Sequence, residues 1–306
     1  MPPCWKYLYP GVIPVPLPPE YLIKAVYFAP RGRKRIHELG ANLARRYLSA
    51  EDNLIGVIGD AGAGKSVLIR GMFPGVELTN DDEGINVRPL PLLHHFETGN
   101  FDYHTYHLDM HFEQAFSQPH ILAEAVHRAL REGCRVIVEH FDLLYPVLEL
   151  NAHVLVGIGQ EVIIARPGLF GPLPDEIKAV VFKSLYHRKM AHSAEDITQL
   201  VLEKLGVPPA EGHGDVSDGF ILHYRRRPPV DLELVEELVR EMIGRDLVIN
   251  PVGNCKITIG ELATPCTGPR LHVRSTGEIK NFRLEKEYLR DSSSGLYSII
   301  GRVGSE

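Results

Sequence analysis

The fold is decided by one stretch of the sequence, Asn53-Leu54-Ile55-Gly56-Val57-Ile58-Gly59-Asp60-Ala61-Gly62-Ala63-Gly64-Lys65-Ser66. Its first half is short and apolar, as expected of a buried strand, and its second half is rich in glycine. A helical pattern begins at Ser66 and continues to Met72. A strand that leads through a glycine loop into a helix is typical of an α/β protein, with the loop at the carboxyl edge of the sheet.

The glycine loop has the spacing G-x4-G-K-[ST], which is the phosphate-binding P-loop pattern. Glycines let the backbone curl so that successive N–H groups point at phosphate oxygens, and the helix N-terminus adds partial positive charge. Lys65 is expected to contact the β- and γ-phosphates, and the Ser66 hydroxyl to ligate Mg²⁺. The alternative is a glycine-rich turn that matches by chance. We therefore predict binding of ATP or GTP with Mg²⁺ through Gly59, Asp60, Ala61, Gly62, Ala63, Gly64, Lys65, Ser66 and Val67.

Apolar strands and amphipathic helices alternate around the loop, which predicts an α/β domain with a mostly parallel, doubly wound sheet. Residues 1–20 hold seven prolines and are expected to form an extended arm. The segment 166–174 is rich in proline and glycine and separates two predicted domains, 21–172 and 173–306. The first is predicted to contain strands at 21–29, 53–58, 135–138, 152–158 and 160–165, and helices at 33–48, 66–72 and 119–132.

The second predicted domain has an α+β pattern. A helix is expected over 175–205, with a break near Ala191. It is followed by a strand at 219–224, a helix at 231–243, and strands at 247–250 and 256–259.

Acidic side chains at predicted strand ends are candidates for chemistry beside the loop. Glu139 follows the strand 135–138, where a carboxylate would orient Mg²⁺ or the attacking water. An ordinary exposed strand-end carboxylate is the alternative. Asp81 and Asp82 follow a predicted strand at 76–79 and are candidates for a metal ligand or a general base.

His107, Asp109 and His111 alternate along one segment, so a strand there would place all three on one face. Two imidazoles and a carboxylate in that arrangement would suit a transition metal. In the simpler interpretation, which we favour, His107 and Asp109 border the nucleotide site. The predicted catalytic set is Lys65, Asp82, Asp109 and Glu139.

The composition is that of a globular protein: 44% of the 306 residues are hydrophobic and 24% are charged. A net charge of −6 argues against a protein that binds nucleic acid over much of its surface. The basic run 225–227 is a candidate local patch, although we favour a solvated surface. Cys4, Cys134, Cys255 and Cys266 form no C-x-x-C pair, and no stretch is apolar enough for a membrane span or a secretory signal. We therefore expect a cytoplasmic protein.

Residues around the glycine loop resemble a known family. Glu38-Leu39-Gly40-Ala41-Asn42-Leu43-Ala44 and the loop itself match the L-G-x-x-L-A helix and the G-D-x-G-A-G-K-[ST] loop of the bacterial ATPase of threonylcarbamoyl-adenosine tRNA modification. His107 with Asp109 matches its H-x-D segment, and Glu139 matches its strand-ending glutamate. The chain is also similar to uridine-kinase-like P-loop kinases through Asn100-Phe101-Asp102, Asp82 and Val136-Ile137-Val138-Glu139. The S-P-T-F segment of the first family and the R-R-x-x-R-D lid of the second do not occur, so these resemblances imply an ATP site and leave its substrate open.

The second predicted domain resembles the second additional domain of threonyl- and alanyl-tRNA synthetases, which is also found in free-standing editing proteins. Five segments match in order: Ala191 to Asp196, Asp218-Gly219-Phe220, Asp231 to Ile243, Pro265 to Pro269, and Ser275 to Phe282. The family pattern is H-x3-H on a helix, D-G-F on a strand, then C-x3-H and T-G-x-I. Here an aspartate replaces the second histidine, and Arg270 replaces the last one, with a histidine two residues later. The resemblance implies either a Zn²⁺ site of His192, Asp196, Cys266 and His272, or a pocket that keeps the fold with lost or altered activity.

These patterns predict a P-loop NTPase or kinase-like protein coupled to a domain that recognises an amino acid, an aminoacyl ester or the tRNA acceptor end. One alternative is a trans-editing hydrolase of mischarged aminoacyl-tRNA with a regulatory nucleotide site. A second alternative is a nucleotide-switched binding protein without turnover.

Overall fold

A computed structural model describes residues 22–79, 90–253, 255–266, 268–292 and 294–304. The predicted proline-rich arm, Asp81 and Asp82 lie outside these residues. The segment 76–79, predicted as a strand, is irregular.

The N-terminal part is built on a mixed sheet. Its strands are β1 (Lys24–Phe28), β2 (Leu54–Ile58), β3 (Thr105–Asp109), β4 (Arg135–Glu139), β5 (Val154–Ile158) and β6 (Glu161–Ala165), in the spatial order β1-β6-β5-β2-β4-β3. The four strands β3, β4, β2 and β5 are parallel, as predicted. The prediction of a mostly parallel sheet is wrong for β6 and β1, which pair antiparallel. Gly159 and Gln160 alone join β5 to β6, and a parallel crossover needs a dozen residues or more.

Helices cover both faces of this sheet. They are α1 (Arg33–Tyr47), α2 (Lys65–Met72), α3 (Pro91–Thr98), α4 (Met110–Glu113), α5 (Pro119–Arg131) and α6 (Phe141–Leu148). Side chains of β2 alternate between the faces, so Ile55 and Val57 share a core with α1 and α2. Leu54 and Ile58 share another core with α3, α5 and α6. Burial on both faces explains why the strand reads as a continuous apolar run.

Helix α7 (Pro174–Lys204) connects the two parts of the chain. It has no break near Ala191, contrary to the prediction, because no glycine or proline interrupts it after its first residue. Its first half packs on the N-terminal sheet through Ile177 and Val181. Its second half belongs to the C-terminal core through Ala194 and Ile197. The cores of the predicted domains therefore share one helix.

The C-terminal part combines α7 with α8 (Leu232–Gly244) and two antiparallel sheets. The larger sheet contains β7 (Gly212–Val216), β8 (Gly219–Tyr224), β12 (Arg283–Leu284), β13 (Leu289–Arg290) and β14 (Tyr297–Arg302). The smaller contains β9 (Ile249–Val252), β10 (Lys256–Ile259) and β11 (Leu262–Pro265). Elements close to those predicted are thus arranged as an α+β unit.

Candidate functional site

The glycine loop lies between β2 and α2, at the carboxyl edge of the parallel strands. Gly62 and Gly64 have φ angles of 79° and 101°, a region that disfavours any residue with a Cβ atom. A Cβ atom on Gly59 would lie 2.7 Å from the carbonyl oxygen of Ile158. The backbone path therefore requires all three glycines of the loop, the two of the motif and Gly62 between them.

Lys65 and Ser66 turn toward the same carboxylate. The Ser66 hydroxyl donates to Oε1 of Glu139 at 3.2 Å, and Nζ of Lys65 lies 3.8 Å from Oε2. Lys65 is only 8% exposed, and its ammonium also donates to the carbonyl of Asp60 at 3.3 Å. Glu139 is 2% exposed, so the predicted partner is a buried group and not a solvated strand end.

His107 positions Glu139 from the other side. Its Nδ1 accepts the backbone N–H of Thr79 at 3.2 Å, so its Nε2 carries the proton and donates to Oε1 of Glu139 at 3.2 Å. Burial raises the pKa of Glu139, but the hydrogen bond from His107 and the charge of Lys65 outweigh it and lower that pKa below its usual value. The carboxylate is therefore ionised at neutral pH.

Asp109 and His111 do not continue the pattern of His107. Strand β3 ends at Asp109, whose carboxylate accepts the backbone N–H of His111 at 3.0 Å and caps α4. His111 lies in α4, with its ring 4.0 Å from that of His140. The predicted strand face bearing two histidines and an aspartate is therefore wrong. Asp109 is paired in register with Glu139 on the adjacent strand, and its position borders the loop edge.

A second cluster lies in the C-terminal part, where four side chains converge. His192 and Asp196 are one helical turn apart on α7, Cys266 follows β11, and His272 lies on the next loop. One ligand atom from each lies within 4.8 Å of all the others. The predicted metal set is thus brought together, although Arg270 stands where the synthetase pattern has histidine.

The distances from the Cys266 sulfur to the two imidazole nitrogens suit a tetrahedral metal. The Sγ atom of Cys266 lies 3.5 Å from Nε2 of His192 and 3.8 Å from Nε2 of His272. Oδ2 of Asp196 lies 2.9 Å from that same His272 nitrogen. Sulfur and nitrogen ligands of a tetrahedral Zn²⁺ are separated by about 3.5 Å.

Backbone carbonyls orient both imidazoles of the cluster. His192 Nδ1 donates to the carbonyl of Leu271 at 3.2 Å, and His272 Nδ1 donates to that of Pro269 at 3.1 Å. The Nε2 atom of His192 then turns its lone pair toward Cys266, and the Nε2 atom of His272 lies between Cys266 and the carboxylate of Asp196. A backbone carbonyl that fixes the ring of a histidine ligand is usual at metal sites. Two imidazole nitrogens, a thiol and a carboxylate thus face one another, which is a donor set that fits Zn²⁺.

Burial controls the protonation of the cluster. It lowers the pKa of His192 well below its usual value, with the neighbouring His272 adding to the effect, so the ring is neutral. Burial and the Asp196 carboxylate raise the pKa of the Cys266 thiol to about 12. A bound cation would reverse the preference of the thiol, because a metal ligates the thiolate.

A cavity of about 430 Å³ opens beside the cluster. Arg31 lies on its wall and pairs with Glu195 of α7 and, at 2.6 Å, with Asp215 of β7. Sequence reasoning missed Arg31, and it missed the Leu271 carbonyl as well. An isolated arginine has no distinctive spacing, and a backbone acceptor has no sequence signal.

Other basic side chains lie apart from the cluster. His187 pairs with Asp218 at 2.7 Å, away from the four converging atoms. The arginines 225–227 are exposed, and Arg225 pairs with Glu211.

No protein-family model and no curated protein matches the chain. The two sites therefore rest on their own geometry. Among the described residues, no helix combines the length and the apolar character needed to cross a bilayer.

Proposed function

We propose that the chain binds ATP or GTP with Mg²⁺ at the glycine loop and catalyses hydrolysis or transfer of the γ-phosphoryl group. The observation that carries this proposal is the convergence of Lys65 and Ser66 on the buried carboxylate of Glu139. A lysine, a hydroxyl and a carboxylate at a helix N-terminus are the groups that phosphoryl transfer requires.

Each group has a definite task in this proposal. Lys65 stabilises the negative charge of the phosphates. To do so, its ammonium group gives up its hydrogen bond to the Asp60 carbonyl and binds phosphate oxygens instead. Ser66 holds Mg²⁺, which when bound neutralises the charge of the β- and γ-phosphates. Glu139 orients a water or an acceptor hydroxyl and takes its proton as that oxygen bonds to the γ-phosphorus. The bond from the γ-phosphorus to the bridging oxygen breaks, and the nucleoside diphosphate leaves with that oxygen.

The C-terminal cluster is proposed to hold Zn²⁺ and to recognise an amino acid, an aminoacyl ester or the acceptor end of tRNA. The cavity beside it contains groups of both signs, including Arg31, Arg35 and Glu203. Such a lining suits a substrate that carries both an amine and a carboxyl or phosphate group. Because nucleotides and charged tRNA are cytoplasmic molecules, the proposal places the protein in the cytoplasm.

Calorimetry with ATP and GTP at millimolar magnesium, followed by a phosphate-release assay, tests the nucleotide proposal. Lys65→Ala is expected to weaken nucleotide binding by about 100-fold and to abolish turnover, because it removes the charge beside the phosphates. The exposed Lys183→Ala on α7 serves as the matched control. Absence of nucleotide binding in the wild-type protein would overturn the proposal.

The metal cluster and its cavity favour a second candidate, a hydrolase of mischarged aminoacyl-tRNA with a regulatory nucleotide site. Zn²⁺, when bound, would polarise the ester carbonyl and activate a water molecule. Deacylation of Ser- or Ala-charged tRNA that is lost in Cys266→Ala but kept in Lys65→Ala would support this candidate. Tight nucleotide binding with neither activity would instead indicate a nucleotide-switched binding protein.

A further inference from the structure

A crevice of about 120 Å³ lies between the glycine loop and the C-terminal part of the chain. One wall is formed by Ala63 and Val67 with Ile36 of α1, and the other by Pro269 and Leu271. These side chains are apolar, and the wall contributed by the C-terminal part belongs to the segment 268–271. The two parts touch here, because a Cβ atom on Gly62 would lie 3.0 Å from the carbonyl oxygen of Arg270.

The crevice adjoins the phosphate cradle, because Gly62, Ala63 and Gly64 of the glycine loop line it. Lys65 and Ser66 turn toward Glu139, which marks the position of the γ-phosphate in the proposed reaction. Val67, the next residue of α2, also lines the crevice. The crevice therefore provides a space beside the cradle for the rest of the nucleotide.

We propose that the base and ribose of the bound nucleotide occupy this crevice, so that the segment 268–271 completes the nucleotide site. The proposal rests on the proposed nucleotide-binding function. A flat base with little polar surface suits apolar walls on both sides. The side chains of Arg33 and Arg270 also line the crevice, and guanidinium groups stack on aromatic rings and attract phosphate.

This position connects the nucleotide to the metal cluster. The Leu271 carbonyl accepts the Nδ1 proton of His192 at 3.2 Å, and a Cβ atom on Gly268 would lie 3.2 Å from the His192 ring. A base that contacts Leu271 therefore touches the segment that orients a metal ligand. Coupling between two such sites is reciprocal, so each ligand would change the affinity of the other by the same factor.

The affinities for ATP and for inorganic tripolyphosphate, each measured with Mg²⁺, distinguish contacts in the crevice from contacts in the phosphate cradle. Leu271→Ala removes the wall contributed by the C-terminal part and is expected to weaken ATP binding by about tenfold, while tripolyphosphate binding changes less than about twofold. Ser66→Ala, which alters the cradle, is expected to weaken both ligands. Circular dichroism verifies that each variant folds.

The results distinguish failure of this inference from failure of the nucleotide proposal. If Leu271→Ala weakens both ligands equally, or weakens neither, the base does not lie in the crevice. If the wild-type protein binds neither ATP nor tripolyphosphate, the phosphate site itself is refuted and this inference falls with it.

Discussion

The Ser66 hydroxyl lies 3.2 Å from Oε1 of Glu139, so the end of the glycine loop and the end of β4 meet across the carboxyl edge of the sheet. The parallel pairing of β2 with β4, in which Val57 stands opposite Glu139, produces this contact. His107 reaches the same oxygen from β3, the next strand along the sheet. Three adjacent strand ends therefore build the site.

Replacement of Glu139 by glutamine tests its proposed role in the reaction. Glu139→Gln keeps the shape of the side chain and removes its charge, so nucleotide binding is expected to remain and turnover to fall by about 100-fold or more. Single-turnover phosphate release and calorimetry measure the two effects separately. The exposed Glu124→Gln on α5 is the control. Unchanged turnover would show that Glu139 has no part in the chemistry.

The C-terminal cluster is expected to hold about one equivalent of zinc in protein purified without chelator. His192→Ala and Cys266→Ala are each expected to lose the metal. His187→Ala is expected to keep it, because His187 lies on the same helix as His192 but pairs with Asp218, outside the cluster. Elemental analysis measures the content, and a chelator is expected to lower the Tm of the wild type only. A wild-type protein that stays free of metal after growth with added zinc would refute the site.

The sequence predicted the parts of the site that depend on local chemistry. The glycine loop is a contiguous pattern, and the alternation of Ile55 and Val57 with Leu54 and Ile58 follows from burial on both faces of β2. The antiparallel direction of β6 could also be predicted from the sequence, because the two-residue link through Gly159 and Gln160 excludes a parallel crossover. The alternation of strands and helices favoured a parallel sheet instead, and that prediction was wrong for β6.

Other features depend on contacts between distant parts of the chain. The carbonyl of Leu271 orients His192, 79 residues away, and any residue type could supply it. Asp109 was predicted to border the nucleotide site and to act in catalysis, and the hydrogen bond by which its carboxylate caps α4 was not predicted. The helix α7 spans both cores, so the proline-rich segment before it does not separate them completely.

The close packing of α1 against α2 predicts which glycines cannot be replaced without loss of stability. A Cβ atom on Gly40 would lie 2.4 Å from the carbonyl oxygen of Leu68, and one on Gly71 would lie 2.1 Å from that of His37. Gly40→Ala and Gly71→Ala are each expected to reduce the free energy of unfolding by about 1–3 kcal/mol through overpacking. Urea denaturation measures the change.

Gly244 on α8 provides the matched control, because a Cβ atom there meets nothing within 4 Å. Gly244→Ala is expected to leave stability unchanged or to raise it by up to about 1 kcal/mol. Equal stability of the Gly40 and Gly244 variants would show that the two helices do not approach as closely as described.

The lowered pKa of His140 predicts how the free energy of unfolding depends on pH below neutrality. Burial, with the positive charge of Lys65 and the neighbouring His111, lowers the pKa of His140 from 6.5 to about 4, although Asp109 and Glu139 oppose the shift. The unfolded chain therefore binds a proton between pH 6.5 and 4 that the folded chain does not, so stability falls as the pH falls through this window. A pKa difference of this size corresponds to at most about 3 kcal/mol.

His140→Asn isolates this contribution, because asparagine tolerates the left-handed backbone at this position, where φ is 57°. Urea unfolding at pH 7 and at pH 4.5 is expected to show a smaller loss of stability in His140→Asn than in the wild type. The exposed His120→Asn on α5 should keep the wild-type difference. If His140→Asn loses as much stability as the wild type over this interval, the imidazole is not held neutral, and the acid sensitivity must come from another group.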